Sequence, residues 1–252
     1  MTGLALAVVA LTNAWGSIAV DPRGATLVSY VPAGGRDVLF RSSVKPPCDP
    51  RHACFNGGAP ICFPWVYDDE GRRAELHGCV WNVAWRQLEP KCRDELRFGV
   101  EADGYRVECA FRLGASLDIS FSVCNLIFRD TPRRFCFAFH PFFAVSDVER
   151  VMLRGLSERD MPGREHVKGV FDAREAEIAD PGFGRRIVVR SPGTKRMMLW
   201  NCGKAPRAEY APEEWRRFVC LEPANNVAAD AMTVCPGETV ELKFSVRVEE
   251  MK

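Results

Sequence analysis

The chain has 252 residues, 47% of them hydrophobic, with 34 basic against 33 acidic side chains and a formal net charge of +1. That composition supports a sizeable core and leaves no electrostatic footprint for nucleic acid or an acidic membrane surface. Eleven cysteines, an odd number with no Cys-x-x-Cys pair, include Cys62, Cys109, Cys136 and Cys220 inside apolar runs. A free thiol acts there as a small hydrophobe, so the expectation is free cysteines in a reducing compartment, the cytoplasm.

The N-terminal run 4–11 has the apolar character of a signal-peptide core but no basic segment ahead of it. It reads as a buried first strand. No apolar run approaches the roughly 18 residues of a membrane span. Asn13 to Gly16 reads as a turn, Ser17 to Val20 as a strand, and Asp21 to Gly24 as a second turn. Strands over 25–31 and 37–40 are expected to flank a hairpin turn at Pro32-Ala33-Gly34-Gly35. A polar loop over 42–54 leads into Asn56-Gly57-Gly58-Ala59-Pro60-Ile61-Cys62-Phe63-Pro64-Trp65, which runs on past a charged tip at 68–73 to Leu76-His77-Gly78-Cys79-Val80-Trp81-Asn82. So many glycines, prolines and tryptophans in one irregular segment suggest the wall of a pocket.

Strict apolar alternation follows at Tyr105, Val107, Cys109, Phe111 and Leu113, again at Leu117, Ile119, Phe121 and Val123, and at Val240, Leu242, Phe244, Val246 and Val248. This is the signature of half-buried strands. Shorter strands are expected over 96–101, 148–153, 186–190 and 197–200, and a short helical turn over 212–217. With helical pattern nearly absent, and no repeat, linker or low-complexity tract, the fold class is an all-β antiparallel sandwich in a single domain.

The chain contains no His-Glu-x-x-His, Gly-x-Gly-x-x-Gly, P-loop or Gly-x-Ser-x-Gly element, so the chemistry expected is acid–base, with no cofactor and no metal. Of the four histidines, His52 and His166 sit among charged residues and read as solvated. His140 ends the run Phe135-Cys136-Phe137-Ala138-Phe139-His140. Alternation puts the three phenylalanines on one face and His140 beside two small residues on the other. It is either a pocket acid–base group or a strand-end histidine satisfied by a carbonyl. Glu222 closes the apolar run Phe218-Val219-Cys220-Leu221 ahead of Pro223. A carboxylate there either has a task or is bonded to loop amides at a rim. His77 precedes a glycine that lets backbone and ligand approach, or is a backbone-bonded loop residue. Trp65, Trp81 and Trp85 are core residues or sugar platforms.

Taken together, Gly57-Gly58-Ala59-Pro60-Ile61-Cys62-Phe63-Pro64-Trp65, His77-Gly78 with Asn82 and Trp85, and His140-Pro141-Phe142-Phe143-Ala144-Val145-Ser146-Asp147 resemble segments of the hexose-6-phosphate mutarotases. These belong to the galactose mutarotase-like superfamily. Leu153 to Leu156, Trp200-Asn201, Val219 to Ala224 and Pro236-Gly237-Glu238 follow in matching order. The resemblance implies a large β-sandwich, called a supersandwich, that interconverts the anomers of an aldose or its 6-phosphate without a cofactor. It implies Glu222 as general base on the C1 hydroxyl, His140 as general acid on the ring oxygen, and His77 as a hydrogen-bonding partner of the sugar. Asn56 and Trp81 stand where the family carries arginines suited to a phosphate, and the family's further acidic substrate residue falls at Glu177. Arg41, Arg51, Arg72 and Arg73 are the basic residues available to replace the missing charge. A mutarotase for an unphosphorylated sugar and a silent carbohydrate-binding protein are the alternatives. The expected partner is a small sugar or sugar phosphate bound by a monomer, with no nucleic acid and no membrane.

Overall fold

The computed structural model describes residues 7–44, 55–67, 76–127, 131–156, 168–204 and 207–251. His52, His166, Arg51, Arg72 and Arg73, and the first part of the run 4–11, lie outside them.

The strict alternation of the sequence becomes the long strands. β1 (Val9–Asn13), β2 (Gly16–Asp21) and β3 (Thr26–Pro32) form a three-stranded antiparallel sheet. β4 is the short Ile61–Cys62 and β5 is Arg86–Leu88. β6 (Glu95–Ala102), β7 (Tyr105–Leu113) and β8 (Leu117–Asn125) form a meander in which buried and outward residues alternate. β9 (Arg133–Phe135), β10 (Phe137–Phe139), β11 (Phe142–Ala144) and β12 (Met152–Arg154) are short. β13 (Lys168–Phe171), β14 (Glu175–Asp180), β15 (Arg185–Arg190), β16 (Arg196–Trp200), β17 (Phe218–Asn225), β18 (Met232–Val234) and β19 (Thr239–Glu250) complete the set.

An eight-stranded sheet runs β12-β14-β15-β19-β8-β7-β6-β5. A six-stranded sheet runs β13-β16-β17-β10-β4, with β11 also on β17. The two face each other across phenylalanines. Phe137 and Phe139 of β10 meet Phe121 of β8 and Phe244 of β19, with ring centroids 4.6 Å apart for Phe121–Phe137 and 4.7 Å for Phe139–Phe244. β17, covered on both faces, is buried at every position, which is why it reads as a continuous apolar run rather than an alternating one.

Four expectations change. The first strand is not buried: β1 lies at the edge of its sheet, and its residues alternate between half-buried and exposed. Residues 37–40 do not form a strand: the Asp37 carboxylate takes the amides of Tyr30 and Leu39 and the Ser29 hydroxyl, turning the chain so that Leu39 bridges to Phe143. The strand expected over 148–153 shrinks to β12, because Asp147 accepts from the Glu149 amide and starts a turn. Pro223 does not end the strand at Glu222. It pairs with Met197 and β17 continues to Asn225, since proline forfeits one ladder donor without forbidding extended backbone.

Candidate active site

The register of the six-stranded sheet sets the site. β10 pairs Ala138 with Ala224 of β17, and β11 pairs Phe142 with Cys220. His140 falls in the interruption between them, opposite Glu222, and same-face residues opposite one another across antiparallel strands are close neighbours. His140 Nε2 stands 3.5 Å from Glu222 Oε1, with side chains 9% and 1% exposed. The His140 amide bonds to Pro60 O at 3.0 Å. The rim glutamate and the carbonyl-satisfied histidine are therefore not what is found: Glu222 lies mid-strand in the interior, and His140 Nδ1 is buried with no hydrogen-bond partner among the described residues.

The pocket-wall segment forms the opposite side. His77 has φ +67°, a left-handed conformation that histidine adopts more readily than most residues. Gly78 behind it has φ +81°, and a Cβ there would sit 1.9 Å from Phe63 O, so only glycine fits. This turn lays the His77 ring over Phe55, centroids 4.9 Å apart and nearly parallel, and edge-on to His140 at 5.8 Å. His77, His140 and Glu222 line one cavity of about 440 Å³ together with Phe55, Tyr67, Phe142, Met198, Trp200, Arg207, Glu209 and Tyr210. That volume falls within the range of small-molecule sites, and the mix of aromatic rings with a few converging polar groups suits a sugar.

The other expected substrate residues are placed elsewhere. Asn56 does not line the cavity; its amide donates to Val44 O at 2.9 Å. Trp81 stands behind Phe55, edge-on at 5.5 Å. Trp85 is buried and donates its indole N–H to Val80 O. Glu177 lies on β14 of the eight-stranded sheet, facing Arg154 at 3.3 Å and Arg186 at 3.8 Å, and does not reach the cavity. Arg41 is exposed and bridges through its backbone to Gly57. Sequence reasoning gave no site role to Tyr67, Met198, Trp200 or Arg207, although Trp200-Asn201 was among the segments matching the family. Met198 pairs with Glu222 across β16–β17, a relation set by register and invisible in a run of apolar letters.

The electrostatics follow from burial. The imidazole of His140 is pushed down to about 3 by desolvation and then by His77, and that of His77 to about 4 by desolvation. Burial, followed by the charge of Glu222, pushes the Cys62 thiol well up and Tyr67 up to about 12. Cys220 is raised by burial, then by Glu222 and Cys202. Glu222 is thus surrounded by imidazole, phenol and thiol groups whose charged forms are disfavoured by burial. Ligand atoms of His140, Cys220 and Glu222 lie within 4.8 Å of one another, but burial of the thiol opposes the thiolate that a metal would need. The nine cysteines among the described residues are all free. No helix of the described residues is long and apolar enough to cross a membrane.

Comparison with known proteins agrees with this architecture. A provisionally named mutarotase of Salmonella typhimurium superposes with a TM-score of 0.79 at 19% identity, covering 93% of this chain and 87% of that one. A provisionally named glucose-6-phosphate 1-epimerase of Escherichia coli K12 is 24% identical over 266 residues, 90% of this chain and 85% of its own. Another of that name from Cenchrus ciliaris is 24% identical over 259 residues, 85% of this chain and 76% of its own. The model of the aldose 1-epimerase family matches residues 7–167, a stretch that includes the pocket wall and His140, and with it this chain belongs to the aldose 1-epimerase family of isomerases.

Proposed function

We propose that this chain interconverts the α and β anomers of a hexose, with a hexose 6-phosphate such as glucose 6-phosphate as its substrate, and that Glu222 and His140 carry the proton transfers. The observation behind this reading is the pairing of the two across the break between β10 and β11, in a cavity of about 440 Å³ that has room for a sugar. In ring opening, Glu222 takes the proton from the C1 hydroxyl as the C1 carbonyl forms. The bond from C1 to the ring oxygen breaks, and that oxygen takes a proton from His140. Rotation about C1–C2 and closure with the roles reversed give the other anomer. No redox equivalent or transferred group enters, so two side chains suffice and no cofactor is required.

The pair must hold one labile proton to do this. Burial disfavours imidazolium at His140, while a carboxylate 3.5 Å away favours it. The proton therefore belongs to the pair rather than to either residue. His77, whose buried Nδ1 has no hydrogen-bond partner among the described residues, is proposed to bond the sugar near its ring oxygen. The choice of a phosphorylated substrate draws on the names given to the Escherichia coli and Cenchrus ciliaris relatives. The placement of Asn56 and Trp81 away from the cavity lining favours a second reading, an unphosphorylated sugar.

Anomer exchange by NMR, run with glucose 6-phosphate and with free glucose, separates these readings. Acceleration of neither sugar, with binding retained, would leave a silent carbohydrate-binding protein. Glu222→Gln is expected to lower turnover by a factor of about 10²–10⁴ with little loss of binding; near-normal turnover would remove Glu222 from the role of base.

A further inference from the structure

The positions of Asn56 and Trp81 leave a hexose 6-phosphate without a cation on the wall where the family resemblance would put one. A cation is present on another wall. The loop after β16 places Arg207 on the lining of the catalytic cavity, and the same residue lines an adjoining hollow of about 340 Å³ that also includes Lys204. The two hollows share Arg207 and Tyr210.

Arg207 lies one aromatic ring away from the catalytic pair. Its guanidinium carbon stands 5.5 Å from the centroid of Trp200, and the Trp200 ring stands 6.0 Å from that of His140. A hexose with its ring at His140 and Glu222 can extend the C6 arm across Trp200 to this point. Both flanks of the loop are tied down. Asn201 donates to Trp215 O and Phe218 O, each at 2.8 Å, and Tyr210 donates its hydroxyl to Phe55 O at 2.8 Å.

The guanidinium is also unspent. Arg196 and Arg216 bind Asp230 and Asp147, whereas Arg207 makes no ion pair or side-chain hydrogen bond among the described residues and stands over the face of Trp200. Glu209 shares the cavity lining but forms no ion pair with it within 4.0 Å. Lys204 stands over Trp215 at 5.6 Å, likewise without a carboxylate partner among the described residues. A neutral sugar gives such a cation nothing to neutralise, while an anionic C6 group matches its planar fork.

We infer that Arg207, with Lys204 behind it in the adjoining hollow, forms an anion subsite that receives the charged C6 group of the substrate, a 6-phosphate. The inference rests on the proposed hexose reading of the cavity. A C6 carboxylate shares the same chemistry, so a uronic acid is the second source to distinguish.

The test is calorimetric titration of glucose 6-phosphate, glucose and glucuronate into the wild type, Arg207→Ala and Arg207→Lys, which reads binding independently of turnover. Arg207 is exposed, so its replacement leaves the core intact. Arg207→Ala is expected to lose about ten- to hundredfold in affinity for glucose 6-phosphate relative to glucose, the scale of charged hydrogen bonds, with Arg207→Lys in between. Equal losses for the phosphate and for glucose would mean that Arg207 only braces Trp200, and would overturn the subsite. No loss for the phosphate would overturn it as well. A preferential loss for glucuronate would move the assignment from phosphate to carboxylate. Wild-type affinities that are equal for all three sugars would remove the subsite and the phosphate preference together. The acid–base reading would still stand on the turnover of Glu222→Gln, so the two can fail separately.

Discussion

His77 couples the stability of the protein to pH in a definite direction. It is held neutral by burial, its pKa pushed down to about 4 against about 6.5 in the unfolded chain. Above pH 6.5 it is neutral in both states and adds no slope. Below it the unfolded chain binds more protons, so stability falls as the pH drops from about 6.5 to about 4. Urea unfolding of His77→Asn across this range is expected to show a shallower acid slope between pH 6.5 and 4, by somewhat less than about 1.4 kcal/mol per pH unit. Asparagine keeps the left-handed backbone accessible, so an unchanged slope would count against the burial argument and not against the turn. At this scale His140 and Glu222 stand out in the sequence because each is a polar residue ending a dense apolar run. Arg207 and Tyr67 do not, since an arginine in a loop and a tyrosine near a charged tip look like ordinary surface. Only the placement of the chain reveals that both reach the cavity.

The segments that carry the family resemblance separate into those that build and those that line the site once the elements are in place. Ser146 and Asp147, part of the segment that begins with His140, do not approach the cavity. Ser146 bonds to the buried Asp180 through its amide and hydroxyl, and Asp147 holds Arg216 of the turn leading into β17. They fix the far end of β11, and so the register that puts His140 opposite Glu222. Asn201 does the same for β16. It is 2% exposed, donates to Trp215 O and Phe218 O, and accepts from the Gly203 amide. Asn201→Leu leaves those groups buried without partners at about 1–3 kcal/mol each. A fall in melting temperature of about 10 °C is the expected result by calorimetry, from about 2–4 °C per kcal/mol at this chain length. A drop of only a degree or two would mean that water replaces the side chain. The long strands were legible because alternation survives wherever one face is wet. β17 was legible only as an apolar run, and its true end at Asn225 was hidden by Pro223, because extended backbone tolerates proline where a helix would break.

Across the whole molecule the six-stranded sheet divides support from chemistry. On one face of β10, Phe137 and Phe139 pack against Phe121 and Phe244 of the eight-stranded sheet. Cys136 and Ala138 face the other way, into a small cluster with Cys62, Val66 and Met198. The cavity opens on that second side, where Met198 and Glu222 both line it. The alternation of 135–140 therefore encodes a sandwich and a site at once, which is why the run could be read from sequence while the identity of its partner sheet could not. This division makes a separable prediction. Phe244→Ala removes a ring that is 3% exposed and meets both Phe137 and Phe139. The expected cost is about 3–5 kcal/mol, or a fall of roughly 10 °C or more in melting temperature. Because the lost ring lies behind β10, and the backbone bond from His140 to Pro60 and the pairing of Phe142 with Cys220 still hold the strand on both sides, anomer exchange by the folded fraction at 20 °C should change by less than about threefold. Melting temperature and exchange rate measured on one preparation decide it. A large loss of rate in a fully folded sample would mean that the phenylalanine layer sets the distance between His140 and Glu222, and that stability and chemistry in this fold are not divided between the two faces of the sheet.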